Sequence, residues 1–301
     1  MKTTLKSEHD YLFLNKIENQ IKNIIVYSEK DQWDINQNYD LIDDEEHDIW
    51  KELYGKVYSI AYDNSIDMFR NGIDVFDRHL ANFSLVMPNL DKVSQIIRRH
   101  TGWQIKTVSG FVDEIIFFEL LSEKYFPSSD IIRLSSRFYN KYKNTEVRNE
   151  LAYTPEPDIF HEIFGHASFL LDQGYCTLLQ NIGEMGCDII NSKKLTEDLK
   201  SHNLKRLQNF VWWTLEFGVV KSNTELGFEI YGAGILSSFD EISNVINNKD
   251  KIIPYDFEEI ILTRFDYSDL QDRYYMIDSF DSVIEDFKNK KELFYYQGVT
   301  N

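Results

Sequence analysis

The sequence predicts a mainly helical protein with a few short strands, an α+β chain folded as one domain. Three observations carry this expectation. Apolar residues recur at three- and four-residue intervals over much of the chain, the period of a helix with one buried face. Strand-like alternation is sparse, its best cases being residues 103–108 and 228–231. No internal repeat, low-complexity tract or Pro/Gly/Ser-rich linker divides the 301 residues, and 5 prolines offer few break points.

Taken in order, residues 1–40 are polar and irregular, and 31–40 read as extended loop. Over 44–70, Trp50, Leu53, Tyr54, Val57, Tyr58 and Ala61 share one face, which predicts a helix. Asn71-Gly72 is a turn signal, after which 73–87 suggests a second helix. Residues 91–100, following Pro88, read as a third with Asp91 as its N-cap. Residues 210–220 form an apolar helical segment in which Glu216 is the one ionisable group.

Composition bounds the function. The chain carries 32 basic against 50 acidic residues, a formal charge of -18, which argues against nucleic acid or an anionic membrane as partner. Cys176 and Cys187 are too few for a disulfide framework, so a reducing, cytoplasmic location is expected. No apolar run approaches the ~20 residues that span a bilayer, and the first residues lack an apolar signal core. His9, His47, His79, His100 and His202 lie in polar contexts and read as structural or solvated, and the two cysteines as packing residues.

The remaining histidines carry the chemistry. His161, Glu162 and His166 stand together in His-Glu-Ile-Phe-Gly-His. Zinc peptidases space such a pair at i and i+4, on one helix face. Five steps of an ideal helix rotate the second ring by about 140° and raise it about 7.5 Å. The rings converge here only if the helix widens locally or ends near Gly165, and a π-bulge of that kind often marks a functional site. A third ligand is needed, and Glu216 is the candidate, because an unpaired carboxylate among apolar neighbours is costly. Two histidines and one carboxylate leave coordination positions open and suit Fe(II) oxygen chemistry. Zinc with Glu162 as hydrolytic base stays as the alternative.

These residues resemble the pterin-dependent aromatic amino-acid hydroxylases. The densest parts are Tyr153-Thr-Pro-Glu-Pro-Asp158 running into His161-Glu162, then Trp213-Thr-Leu-Glu-Phe-Gly218, and Tyr231-Gly-Ala-Gly-Ile-Leu-Ser-Ser-Phe239. Weaker matches include Thr101-Gly-Trp103 and Tyr274-Tyr-Met-Ile-Asp-Ser-Phe280, and the likeness covers roughly residues 40–288. It implies a single basket-like catalytic domain over 41–290, between a polar extension 1–40 and a tail 291–301. Neither the regulatory domain nor the tetramerisation helix of the animal enzymes is apparent, so the short bacterial form and a monomer are expected.

The resemblance also implies site residues. His161, His166 and Glu216 bind iron, and Glu162 lies beside the tetrahydropterin. Phe117 stacks on the pterin ring, with Val112 and Glu114 as neighbours, although Glu114 replaces the family's small hydroxyl residue. Arg133 clamps the substrate carboxylate and Asp158 orients it, the pairing that bidentate recognition favours. Thr154, Pro157, Trp212 and Phe217 line the substrate pocket, and Ser237 hydrogen-bonds a ligand histidine. Around the clamp the match is degraded: Leu134 follows Arg133 where a histidine is usual, about a dozen extra residues separate Arg133 from Tyr153, and Arg148 is a rival. Val211 and Ser168 replace a tyrosine and a proline of the family. The implied reaction is hydroxylation of the ring of a free aromatic amino acid with O2 and tetrahydropterin. Phenylalanine is the expected substrate, at the para or meta position, since Trp212 narrows the pocket toward one ring. The alternatives are tyrosine, tryptophan or a modified aromatic substrate, a zinc hydrolase, and an idle scaffold that kept the fold.

Overall fold

The computed structural model describes residues 30–141, 157–267 and 269–296. Helices outnumber strands, as expected, and the core is strongly aromatic. Helix α1, Asp44–Asn64, begins at a reciprocal cap in which Asp43 accepts from the Glu46 backbone and the Glu46 side chain accepts in return. It buries Trp50, Leu53, Tyr54, Val57 and Ala61 on one face.

The expected helix over 44–70 is two helices. Ser65 is extended, and the Ile66 N–H donates to the Ile230 carbonyl at 3.1 Å, so pairing with a distant strand breaks the run. Helix α2, Asp67–His79, then passes straight through Asn71-Gly72, where a turn was expected. Gly72 is there for close approach: a Cβ at that position would lie 2.1 Å from the Ser168 carbonyl oxygen. Helix α3, Leu90–Thr101, is capped by Asn89 rather than Asp91 and ends on Gly102 at φ 83°.

Strands β1, Gln104–Val108, and β2, Tyr125–Ser129, pair in parallel, with α4, Glu114–Ser122, crossing between them. The stretch expected as extended loop instead contains a helical turn, Lys30–Trp33, and a 3-10 turn, Tyr39–Leu41. Trp33 packs on Val108 and Leu120, and Asp34 bridges to Val108. After α5, Ser136–Lys141, the chain is next described at Pro157 and enters a π-helical turn, His161–Ala167. Helices α6, Gln173–Ile190, and α7, Glu197–Val211, follow, and α7 runs into a second π-turn, Trp212–Glu216.

The helix expected over 210–220 therefore stops at Glu216, and β3, Gly218–Lys221, begins directly. The β-branched pair Val219-Val220 gains ladder bonds on both sides there. β3 is antiparallel to β4, Phe228–Ile230, and parallel to β6, Tyr274–Ile277, which also pairs in parallel with β5, Ile252–Pro254. Helix α8, Phe239–Asn247, leads to β5, α9, Phe257–Leu262, precedes β6, and α10, Phe280–Lys290, follows it. None of the described helices is long and apolar enough to cross a membrane.

Candidate metal and substrate site

The first π-turn is anchored from its core side. Phe160 and Phe164 stack on each other at 5.0 Å. Trp50 meets Phe160 at 5.2 Å, and Tyr54 and Phe69 each meet Phe164 at 5.5 Å. With these rings seated, His161 and His166 project from the opposite side. Hydrogen bonds from i to i+5 bring residues five apart onto nearly one face, which resolves the awkward spacing.

Glu216, at the end of the second π-turn, meets them. Its Oε1 is 2.9 Å from His166 Nε2, its Oε2 is 3.5 Å from His161 Nε2, and the two Nε2 atoms are 3.2 Å apart. Two ligands about 2.1 Å from one ion and about 90 to 110° apart lie about 3.0 to 3.4 Å from each other. The two imidazole nitrogens fall in that range and the Glu216 carboxylate, reaching each ring with a different oxygen, lies close to it, so the three groups can share one face of a cation. Glu162 belongs to the same cluster, its nearest donor atom within 4.8 Å of both imidazoles. The direct approach of Glu216 to both rings makes it the third ligand of choice.

Protonation fits a cation as well. The Ser237 hydroxyl donates to the Ala233 carbonyl at 2.9 Å and so accepts from His161 Nδ1 at 2.8 Å. That assignment leaves the His161 Nε2 lone pair facing the point between the three groups. Burial, helped by the charges of His166 and Arg133 and opposed by Glu216, lowers the His161 imidazole to about 4, so it is neutral at pH 7. Burial also pushes the Glu216 carboxyl upward, but His166, His161 and the Gly234 N–H outweigh it and hold Glu216 below its ordinary range. A neutral His161 nitrogen and an ionised Glu216 therefore face this point, a setting in which a cation would be held.

Tyr175 was not legible in the sequence. Its hydroxyl lies 3.2 Å from His166 Nδ1 and orients the second imidazole as Ser237 orients the first. A buried tyrosine needs a polar partner, but nothing in the chain's pattern tied this one to His166.

Glu162 is buried, and its Oε2 has no hydrogen-bond partner among the described residues. Burial, with the charges of Glu216 and Asp158, raises its carboxyl well above the ordinary value. An orphaned buried oxygen beside the triad suits a ligand that brings N–H donors, as the edge of a pterin does.

Arg133 and Asp158 form a buried pair. Arg133 Nε donates to Asp158 Oδ2 at 2.8 Å and Nη2 to Oδ1 at 2.7 Å, while the backbone N–H groups of Arg133 and His161 bond to the same carboxylate. Thr154 and Arg148 lie outside the described residues, and Pro157 is half-buried just before Asp158. Trp212 is half-buried, stacked on Phe265 at 4.1 Å and packed against buried Phe217 at 4.7 Å.

Phe117, Val112 and Glu114 form a second group, at the start of α4 and in the loop before it. Phe117 is half-buried, edge-on to Phe118 at 5.5 Å, and Val112 packs beside the Trp33 cluster. Burial raises the Glu114 carboxyl, which accepts from Gln208 Nε2 of α7 at 2.9 Å. No hydrogen bond among those described joins this group to the triad.

Known proteins share this fold. The family model of the biopterin-dependent aromatic amino acid hydroxylases matches residues 33–293. The phenylalanine-4-hydroxylase of Caulobacter vibrioides is 32% identical over 254 residues, covering 84% of this chain and 77% of that protein. Among solved structures, the cobalt-bound phenylalanine hydroxylase of Chromobacterium violaceum matches with a TM-score of 0.73 at 25% identity, over 94% of this chain and 96% of that one. A structure of that enzyme with iron(III) and oxidised 7,8-dihydrobiopterin matches with a TM-score of 0.69 at 26% identity, over 92% and 91% of the two chains. With the family model matching most of its length, the chain belongs to the biopterin-dependent aromatic amino acid hydroxylases.

Proposed function

We propose that this chain is a non-heme Fe(II), tetrahydropterin-dependent monooxygenase that hydroxylates the ring of free phenylalanine, at the para position named for its relatives. The observation that carries this reading is the convergence of His161, His166 and Glu216, the two Nε2 atoms 3.2 Å apart and the two Glu216 oxygens 2.9 Å from His166 Nε2 and 3.5 Å from His161 Nε2. When bound, iron and the reduced pterin supply the oxygen activation and two of the electrons that the reaction consumes.

The chain's own groups bind, orient and exclude water. Ser237 and Tyr175 keep both imidazoles aimed at the metal position. Arg133, fixed by Asp158, takes the amino-acid carboxylate in a buried setting where ion pairing is stronger than in water. Trp212, Phe217 and Pro157 wall the substrate ring. Phe117, Val112, Glu114 and Glu162 make the pterin side, Phe117 by stacking and Glu162 through its unpartnered oxygen.

The test loads the protein with iron and offers a mixed pool of phenylalanine, tyrosine and tryptophan with tetrahydropterin. Oxygen uptake and product masses are followed together. Tyrosine formed from phenylalanine in step with oxygen use is expected; no oxygen use with any of the three would refute the reading.

A further inference from the structure

Gln271, in the segment before β6, is 3% exposed and is bonded through its backbone and both side-chain polar atoms. Its N–H donates to Glu241 Oε1 at 2.8 Å, and its carbonyl accepts from Asn244 Nδ2 at 3.0 Å and Lys251 Nζ at 3.1 Å. Its side-chain Nε2 donates to the carbonyls of Asp266 and Asp269 at 2.8 and 3.1 Å. Glu241, fully buried, is fixed in turn by the Tyr274 hydroxyl. An amide whose nitrogen is held by two carbonyls can turn only its oxygen outward. That oxygen accepts from the Trp212 indole N–H at 3.0 Å.

Trp212 opens the second π-turn, which the Phe217 N–H closes by bonding to the Trp212 carbonyl at 2.9 Å. Phe265 lies nearly parallel to the indole, at 12°, and Phe217 is inclined to it by 34°. Both phenyl rings pack on the indole, at the head of the turn that ends on Glu216. Turning the indole would break both the bond to Gln271 and the stack on Phe265.

We propose that Gln271 is a positioning residue that fixes the Trp212 edge and thereby makes the pocket select one-ring over two-ring amino acids. This rests on the reading of Trp212 as a pocket wall and does not require turnover. A rigid wall that a larger ring must displace discriminates by a fixed steric cost, and one that can swing aside does not.

The experiment is calorimetric titration of phenylalanine and of tryptophan into cobalt(II)-loaded protein, with the cobalt absorption spectrum recorded as a check on the triad. Wild type is expected to bind phenylalanine about tenfold or more tighter than tryptophan. Gln271→Leu should cut that ratio at least about fivefold with the cobalt spectrum unchanged, and Trp212→Phe should do the same. The double variant should lose no more than either single one, since both remove one interaction. An unchanged ratio in Gln271→Leu, equal weakening of both ligands, or losses that multiply in the double variant would overturn the proposal. Should Gln271→Leu not fold, Gln271→Met, which keeps the length of the side chain but removes the acceptor oxygen, takes its place, and an unchanged ratio there would overturn the proposal. Absence of hydroxylation by the iron-loaded wild type would count against the proposed activity and leave this binding result to stand by itself.

Discussion

Asp158→Asn is the most informative single change, because one carboxylate holds both the clamp and the start of the first π-turn. Asp158 is 2% exposed, and its two oxygens accept four hydrogen bonds, three from Arg133 and one from the His161 N–H. Asparagine preserves the shape, yet whichever oxygen becomes an amino group then faces two donors. The Arg133 guanidinium also loses its counter-charge. Removing one partner of a buried ion pair costs about 3 to 5 kcal/mol. The pH dependence fixes the sign. Burial raises the Asp158 carboxyl, but the Arg133 charge and the hydrogen bonds outweigh it and hold the group below its ordinary value of 3.8. Stability from a depressed carboxyl is complete above the unfolded value and is lost as pH falls through the lower folded one. Urea unfolding of wild type and variant should therefore differ most at pH 7 and converge as the pH falls below 3.8. Phenylalanine affinity at pH 7 should fall at least about tenfold, as for a disordered ionic clamp. A loss under about 1 kcal/mol at pH 7, or a loss that does not shrink in acid, would refute the reasoning.

Other outcomes follow from the same geometry. Ser237→Ala leaves His161 Nδ1 without its acceptor and should weaken metal binding about 10- to 100-fold in competition with a chelator; unchanged affinity would show that Ser237 does not orient the ring. Gly72→Ala is opposite in sign to what helix propensity alone gives, about 1 kcal/mol of stabilisation. The new Cβ would stand 2.1 Å from the Ser168 carbonyl, so thermal unfolding should show a loss of about 1 to 3 kcal/mol or more. The Cys176 thiol, 1% exposed and pushed up to about 12 by burial, should resist iodoacetamide at pH 8 until the protein unfolds. Mass spectrometry that finds Cys176 modified as fast in the folded as in the unfolded chain would contradict that burial.

What the sequence revealed and what it hid divide along one physical line. The i, i+5 histidine spacing is a local statement about turn geometry, and the π-turn over His161–Ala167 answers it directly. Glu216 stood out because an ionisable group in an apolar run needs a partner, and its carboxylate has two. The misread boundaries each hide a distant contact. Ser65 ends α1 because Ile66 pairs with Ile230, and Asn71-Gly72 stays helical because Ser168 comes up against it. Gly218 starts a strand because β4 and β6 flank it. Tyr175 and Gln271 were invisible for the same reason, since a hydrogen bond to His166 or Trp212 leaves no periodic trace in sequence.

The two π-turns explain why this site can be rigid without being built on loops. On the first, Phe160 and Phe164 are four residues apart and must share the core face, while His161 and His166 are five apart and must share the site face. An α-helix satisfies the first spacing and violates the second by about 140°. A π-turn meets both at the expense of poorer hydrogen-bond geometry, and four aromatic contacts on the core side offset that cost. The second turn repeats the device, with Trp212 clamped between Phe265 and Phe217 at one end and Glu216 delivered at the other. The ligand positions are thereby set by core packing on two independent elements. A metal held by these three groups would then keep its protein donors in place whatever else it bound.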